Sequence, residues 1–214
     1  MVLDDERFSV FLSSLVKDED EELGKLRKKA ESEGVPIIRE EMAGFMAFLL
    51  KVIKPLHVLE VGCAVGFSAL HMRKYLPENA VITTIENDKE RAAEALSNFK
   101  NAGAASIHLK TGDATDVLKE FEDESFDFIF MDAAKGQYLN WLPDVRRILK
   151  KGGVLVSDNV LFDGDVLQSR YGIIRRDRTI HERLREYLFV LKNTEGLTTS
   201  IVNVGDGAAL TIKE

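Results

Sequence analysis

The sequence predicts an α/β fold: a doubly wound, mostly parallel seven-stranded sheet with a C-terminal antiparallel hairpin and helices at its N-terminal end. From residue 57 onward, short runs rich in β-branched and aromatic residues alternate with helical segments. That alternation is typical of right-handed crossovers between parallel strands. The turn sequence GDG separates the last two runs, which indicates a closing hairpin. The residues before 57 have the apolar spacing of helices.

Three helices are predicted before the first strand, over residues 4–16, 18–34 and 40–55. The second carries acidic residues in its first turn and Gly34 at its end, and the third is stopped by Pro55. The first helix has a wide apolar face that could pack on its own core or on a second subunit. That face consists of Phe8, Phe11, Leu12 and Leu15.

The core is predicted to begin with the strand HVLEV and to continue as alternating strands and helices. A helix is expected over YLNWLPDVRRILKKGG, followed by a strand over GVLVSD and a longer polar stretch. The helix RTIHERLREYLFVLKN then precedes the hairpin. The remaining predicted strands are AVITTI, SIHLKT, FDFIFM, LTTSIVNV and GAALTIK.

Composition favours a single cytoplasmic domain over 1–214, with a helical segment at 1–55 and the sheet-containing core at 56–214. Hydrophobic residues make up 45% and charged residues 30% of the chain, and no apolar run approaches the roughly 18–20 residues that span a bilayer. The only cysteine, Cys63, excludes an internal disulfide framework and a thiolate-cluster zinc site. A net charge of −7 argues against non-specific nucleic-acid binding by the whole surface.

The first strand runs into a glycine-rich turn with the pattern Glu60-x-Gly62-x-x-x-Gly66. The first turn of a doubly wound sheet normally holds a nucleotide-like cofactor. This pattern lacks the close glycine pair that admits a pyrophosphate, and Glu60 would repel phosphates but suit a cationic ligand.

Two further strand ends complete a candidate cofactor site. Glu86 closes the second strand, 24 residues after Gly62, where an acid can bind ribose hydroxyls. Asp113 and Ala114 follow the third strand and could frame the edge of an adenine. A phosphate-free adenosine with a positive centre is S-adenosylmethionine. The alternative is that these are ordinary strand-end turns with solvated acids.

Polar residues also follow the fourth and fifth strands. Asp132 ends the fourth strand, and Asp158 and Asn159 end the fifth. Two carboxylates and an amide oxygen suit Mg²⁺, Mn²⁺ or Ca²⁺ rather than zinc. Lys135 would lie beside such an ion and could accept a proton from a hydroxyl that attacks the methyl group. The alternatives are that Asp158 and Asn159 cap a turn and that Lys135 is a surface lysine.

These segments resemble the cation-dependent O-methyltransferases, the class of the catechol and caffeoyl-coenzyme A enzymes. The likeness runs from about residue 36 to 214 and includes VLEVGCAVGFSAL, TIENDKERA, FIFMDAAKGQY, SDNVLFDG and VGDGAALTI. The resemblance implies a Rossmann-like class I methyltransferase fold and a homodimer. It also implies that Asp132, Asp158 and Asn159 bind magnesium and that Lys135 is the catalytic base. Asp132 would then take part in catalysis, in cation binding and in cofactor binding. The cofactor site that it implies is lined by Met42, Glu60, Gly62, Ser68, Glu86, Ala114 and Asp132.

Within that class the chain is most similar to bacterial tRNA 5-hydroxyuridine methyltransferases, which form 5-methoxyuridine at the wobble position. The narrower likeness lies in DAAKGQY, DNVLFDG, RRDRT and VGDG. It implies a tRNA anticodon loop as the partner.

A basic segment at 170–187 supports an RNA substrate, since it holds six arginines against three acids. Its alternative role is a solvated helix face in which Glu182 pairs with neighbours such as Arg185. The residues expected to contact RNA are Arg170, Arg175, Arg176 and Arg178.

Two other functions remain open at this level. The first is methylation of a catechol-like small molecule, with 170–178 as a lid over an aromatic pocket that uses Phe162, Tyr171 and Trp141. The second is a noncatalytic RNA-binding module. The presence of the complete set of predicted cation ligands together with Lys135 disfavours the second.

Overall fold

The computed structural model describes residues 11, 14–15 and 21–214. The helix predicted over 4–16 and the start of the one predicted over 18–34 therefore lie largely outside the described residues.

Within the described part of the chain, seven strands form one sheet at the centre of the molecule. They are β1 (His57–Val61), β2 (Val81–Glu86), β3 (Ile107–Thr111), β4 (Phe126–Met131), β5 (Leu149–Ser157), β6 (Leu197–Val202) and β7 (Ala208–Lys213). Their order is β3-β2-β1-β4-β5-β7-β6. The first five strands run parallel, whereas β7 is antiparallel to both β5 and β6. This arrangement confirms the predicted fold class, including the hairpin.

Helices cover both faces of the sheet. They are α1 (Glu21–Ser32), α2 (Glu40–Ile53), α3 (Phe67–Arg73), α4 (Lys89–Asn101), α5 (Ala114–Val117), α6 (Tyr138–Ile148) and α7 (Arg178–Asn193), with short 3₁₀ turns at Leu118–Glu120, Lys135–Gln137, Asp165–Leu167 and Arg170–Gly172. None of the helices in the described residues has the length and apolar character needed to cross a bilayer.

Alternate residues of β4 face two different buried clusters, as the period of two in a strand requires. Phe128 and Phe130 pack with apolar side chains of α1 to α4 on one face. Ile129 and Met131 pack with side chains of α6 and α7 on the other. The sheet is therefore buried on both sides, and only its ends can open to ligands.

Strand β5 begins earlier than its sequence indicates. The predicted helix reached Gly153, but α6 ends at Ile148 and Leu149 already pairs with Phe126. Gly152 has a φ of 75°, and the β4–β5 register shifts between Phe126 and Phe128. Pairing with β4 thus overrides the helical preference of the lysines that follow Ile148.

The single charged residue of β4, Asp127, has a structural role at the amino end of the sheet. Its carboxylate accepts hydrogen bonds from the backbone N–H groups of Leu56 (3.0 Å) and His57 (2.8 Å) and from Lys150 Nζ (2.7 Å). Burial raises the pKa of Asp127, but these hydrogen bonds outweigh it, and the pKa is lowered overall. Asp127 therefore ties three neighbouring strands together, far along the strand from Asp132.

Candidate functional site

A cleft of about 710 Å³ opens at the carboxyl ends of the parallel strands. Its size is that of a small-molecule site, and its position is where ligands bind in open α/β sheets. The strand order sets β4 between β1 and β5, so the segments that follow these three strands meet there. Of the residues predicted to form the site, the cleft is lined by Gly62, Ser68, Glu86, Asp113, Ala114, Asp132, Lys135, Asp158 and Asn159.

The glycine-rich turn after β1 lies directly against the end of β4. Gly62 has a φ of 90°, which L-residues rarely adopt, and its N–H donates to Ile85 O (3.0 Å). A Cβ on Gly62 would collide with the backbone carbonyl of Asp132. Gly66, with a φ of 84°, is the N-cap residue of α3. Gly62 is therefore what allows the turn to approach Asp132.

We expect Gly62→Ala to lower the free energy of unfolding and to weaken ligand binding in the cleft, because the new methyl group must displace the Asp132 backbone. The collision should cost about 1–3 kcal/mol beyond the strain of the positive φ. Gly152→Ala is the matched control, since Gly152 has a φ of 75° and open space around its Cα. Urea unfolding of both variants measures the difference. Equal losses of unfolding free energy in the two variants would show that the Cα of Gly62 is not in close contact with the Asp132 backbone.

Glu60 and Met42 are fully buried and are not among the residues that line the cleft. Glu60 Oε2 accepts a hydrogen bond from Thr84 Oγ1 (2.6 Å), whereas its Oε1 has no hydrogen-bond partner among the described residues. Burial raises the pKa of Glu60 to about 7. A cationic or hydrogen-bond-donating group bound beside this carboxyl would stabilise it. The cofactor contacts predicted for Glu60 and Met42 stay predictions.

Glu86 connects the two turns that follow β1 and β2 at one end of the cleft. Its Oε2 accepts from Ala64 N (2.8 Å) in the glycine-rich turn, and its Oε1 accepts from Asp88 N (2.9 Å). Asp113 caps α5 by accepting from Thr115 N (2.8 Å), and hydrogen bonds from the Thr115 side chain and then from its backbone keep the pKa of Asp113 below the ordinary value. Both carboxylates are therefore held in fixed positions on the cleft wall, with remaining lone pairs available to a ligand.

The structure brings together the acidic residues that follow β4 and β5. Asp132 N donates to Val61 O (3.0 Å) and Asp158 N donates to Met131 O (2.9 Å), so each residue extends the sheet by one more backbone bond. Asp158 Oδ1 accepts from Asn159 N (2.7 Å). Asn159 has a φ of 55°, which turns the chain sharply after β5.

The carboxylates of Asp132, Asp158 and Asp206 repel one another at the end of the cleft that follows β4 and β5. Burial and then the charge of Asp132 raise the pKa of Asp158 to about 7. Burial raises the pKa of Asp132 and of Asp206 as well. The positive charge of Lys135 lowers the pKa of each of these three acids, although less than burial raises it.

This donor set fits a hard divalent cation. Buried carboxylates that repel one another are stabilised by a bound dication, and oxygen ligands are those that Mg²⁺, Mn²⁺ and Ca²⁺ prefer. Within the described residues, no three acidic, histidine or cysteine side chains converge as a metal-binding group. Asn159 lines the same cleft, so its amide oxygen could be a further ligand for a cation held by Asp132 and Asp158.

Asp206 and Thr115 line the cleft although neither was singled out from the sequence, and the hydrogen-bond partners of Tyr138, expected as core or pocket wall, were not predicted. Asp206 lies in the hairpin turn, where its Oδ1 accepts from Asp163 N (2.6 Å), and it lines the cleft because β7 starts beside the end of β5. Tyr138 is fully buried, and its hydroxyl lies within hydrogen-bonding distance of Met131 O (3.1 Å), Asp158 O (3.2 Å) and Ala133 N (3.3 Å). Thr115 accepts a hydrogen bond at its Oγ1 from Trp141 Nε1 (3.0 Å). The strand order could have revealed Asp206; the contacts of the other two depend on the folded packing.

The four arginines predicted to contact RNA lie outside the cleft lining. Arg170 pairs with Glu182 (2.6 Å), and Arg176 lies 3.4 Å from the neighbouring Asp177. Arg178 Nε donates to the protein's own backbone at Ile173 O (3.0 Å). Arg175 and Arg176 are exposed.

Of the three aromatic residues expected around a catechol-like substrate, only Trp141 lines the cleft. Tyr171 is 90% exposed on the 3₁₀ turn at 170–172. Phe162 is partly buried against the core cluster that contains α6 and α7. The segment at 170–178 thus does not cover the cleft in this structure.

Several known proteins with similar sequence or fold are O-methyltransferases. A catechol O-methyltransferase from Niastella koreensis is 32% identical over 163 residues, covering 73% of this chain and 74% of that protein. A caffeoyl-CoA O-methyltransferase from Stellaria longipes is 33% identical over 162 residues, covering 72% and 67%. The crystal structure of the O-methyltransferase TomG from Streptomyces achromogenes, in complex with SAM, has the same fold, with a TM-score of 0.84 at 23% identity over 100% and 99% of the two chains.

The family assignment follows from the sequence as a whole. The sequence profile described as O-methyltransferase matches residues 13–214, which is nearly the entire chain. The chain therefore belongs to the O-methyltransferase family.

Proposed function

We propose that the protein transfers the methyl group of S-adenosylmethionine to a hydroxyl oxygen of a catechol-type small molecule, with a divalent cation held by Asp132, Asp158 and Asn159. The observation that carries this proposal is the position of Asp132. It lies against Gly62 of the candidate cofactor turn and beside Asp158 of the candidate cation site, in one cleft. The catechol and caffeoyl-CoA enzymes among its relatives support an aryl hydroxyl as the acceptor.

The cofactor half of the cleft would bind an adenosine with a positive centre. Glu86 and Asp113 present fixed carboxylates to ribose and adenine, and Ala114 forms the buried wall beside them. Ser68 and the glycine-rich turn complete this half. S-adenosylmethionine would supply the methyl group, and the TomG complex supports this choice of donor.

The acidic half of the cleft would orient the acceptor hydroxyl toward the methyl group. A bound divalent cation would supply the positive charge that lowers the pKa of that hydroxyl. Asp132, Asp158 and Asn159 would hold the cation, and Lys135, whose side chain acts on both aspartates, would take the proton in its neutral amine form. Trp141 would provide an apolar surface for an aromatic ring.

A second candidate acceptor is 5-hydroxyuridine at the wobble position of a tRNA anticodon loop, with 5-methoxyuridine as the product. The exposed cluster of Arg175, Arg176 and Tyr171 favours it, because arginines bind phosphates and an exposed aromatic ring can stack on an unpaired base. The chemistry in the cleft would be the same for both acceptors.

Methyl transfer from labelled S-adenosylmethionine with Mg²⁺ tests the acceptor directly. We expect catechol to be converted to its monomethyl ether, with no turnover after chelation of the metal. If the label is transferred only to tRNA that carries 5-hydroxyuridine, the substrate is tRNA and not a catechol. Label on neither acceptor, or full turnover with a chelator present, would contradict the proposal.

For an RNA substrate, the double variant Arg175→Glu/Arg176→Glu should lower kcat/KM for tRNA by at least about tenfold, because it reverses charge at two candidate phosphate contacts. Catechol turnover and S-adenosylmethionine binding should not change. Lys100→Glu/Lys151→Glu is the matched control, since both lysines are exposed and the change in net charge is the same. Equal losses of kcat/KM for tRNA in the two double variants would show that the change in net charge, rather than contact with RNA, causes the effect.

A further inference from the structure

An arginine of α7 is hydrogen-bonded to the turn that carries Lys135. Arg183 is half-buried, and its Nη1 donates to Gly136 O at 2.8 Å. The Cδ and Nη1 atoms of Arg183 lie within ordinary contact distance of the position that a Cβ would take on Gly136. Gly136 is the middle residue of the 3₁₀ turn at 135–137. The bond therefore acts one residue from the candidate proton acceptor.

The turn itself has few internal restraints. It comprises three residues, and no side chain caps it. Its own backbone bonds are Gln137 N to Ala134 O (2.8 Å) and the N–H of Tyr138 to Lys135 O. Such 3₁₀ turns have poorer hydrogen-bond geometry than α-helices, and a glycine in the middle adds backbone freedom. A hydrogen bond from another element would therefore restrict its position further.

Arg183 provides this restraint from a rigid element. Helix α7 spans 16 residues and packs its buried side chains, Leu184 and Tyr187 among them, into the core beside α6. A guanidinium stays charged at all relevant pH values, and hydrogen bonds from charged donors are stronger than those between neutral groups. Arg183 thus links a long, well-packed helix on this face to the segment between β4 and α6.

We propose that Arg183 is a positioning residue that holds the turn at 135–137 and thereby fixes the Lys135 amino group beside the acidic end of the cleft. The inference rests on the proposed function only in taking Lys135 as the proton acceptor. It assigns Arg183 a role inside the protein, although this arginine belongs to the basic segment that suggested RNA binding.

Hydrogen–deuterium exchange of the full-length protein tests the structural half without any substrate. In Arg183→Met, the amides of 135–138 should exchange at least about tenfold faster than in the wild type. Arg183→Lys should recover part of the protection. Arg146→Met is the matched control, because Arg146 Nη2 donates to Glu195 O (2.9 Å) in a loop that does not line the cleft. Wild-type exchange at 135–138 in Arg183→Met would overturn the inference.

Turnover tests the catalytic half through a double-mutant cycle. Arg183→Met should lower kcat by roughly tenfold, with the KM for S-adenosylmethionine unchanged, since misplacing a catalytic group by about 1 Å can cost that much or more. In a Lys135→Met background the same change should have no further effect. If the two substitutions lower kcat independently, so that their effects multiply in the double variant, Arg183 does not act through Lys135. Full turnover of Lys135→Met would overturn the base assignment, and the exchange result would separate that failure from a failure of the positioning itself.

Discussion

Asp158→Asn should reduce methyl transfer by at least about 10³-fold, while making the metal-free protein more stable at pH 8. Activity falls because the substitution removes one of the two carboxylates proposed to hold the cation. Stability rises because the oxygen of the introduced amide can still accept the Asn159 N–H bond, while no buried charge remains at this position beside Asp132. A residue whose removal stabilises the fold and abolishes the activity is one kept for function.

The sign of the stability change follows from the pKa of Asp158. Burial raises that pKa to about 7 in the folded protein, whereas an unfolded aspartate titrates near 4. The folded state is therefore progressively destabilised as pH rises from about 4 to about 7, by an amount on the order of 2–4 kcal/mol. Thermal unfolding of wild type and Asp158→Asn at pH 4 and pH 8 should show a larger gain at pH 8. Asp116→Asn is the control, since its carboxylate is exposed; a decrease in stability at pH 8 would contradict the account.

Lys135→Met should lower kcat by about 10²–10⁴-fold, the usual contribution of a positioned general base. It should also destabilise the metal-free protein at pH 8, because the charge of Lys135 favours the ionised forms of Asp132, Asp158 and Asp206. The stability effects of Lys135→Met and Asp158→Asn thus have opposite signs, although both variants lose activity. Initial rates and thermal unfolding measure the two effects.

Lys119→Met is the matched control for Lys135→Met. Lys119 is exposed and lies 3.7 Å from Asp116, away from the cleft lining. It should leave both the rate and the melting temperature close to those of the wild type. A Lys135→Met variant that behaved like Lys119→Met would return Lys135 to the role of a surface lysine.

The sequence was sufficient to place the backbone of the site. Strand-end positions follow from the alternation of strands and helices, and the carboxyl ends of neighbouring parallel strands must meet at one edge. Asp132 and Asp158 were therefore expected in one crevice, and the pairing of β4 with β5 confirms that their strands are neighbours. Gly62 was singled out by its turn pattern, and its positive φ and close approach to Asp132 explain the glycine.

Side-chain destinations were less predictable, because they depend on contacts between elements distant in sequence. Arg178 and Arg183 look like solvent-facing or ligand-facing cations in the sequence, yet both donate to backbone carbonyls of the same chain. Glu182 pairs with Arg170 across a loop rather than with a neighbour in its own helix. The start of β5 was misplaced for a similar reason, since its pairing with β4 lies outside any local pattern.

Manganese binding tests the central claim most directly, because Mn²⁺ suits the same oxygen ligands as Mg²⁺ and is detected by electron paramagnetic resonance. The metal-free protein would be titrated with Mn²⁺ in the presence of S-adenosylmethionine, and the free ion measured. The account predicts about one ion bound per chain in the wild type, displaced by Mg²⁺, and binding weakened at least about 100-fold in Asp158→Asn. Equal binding in the two proteins, or none in the wild type, would contradict it.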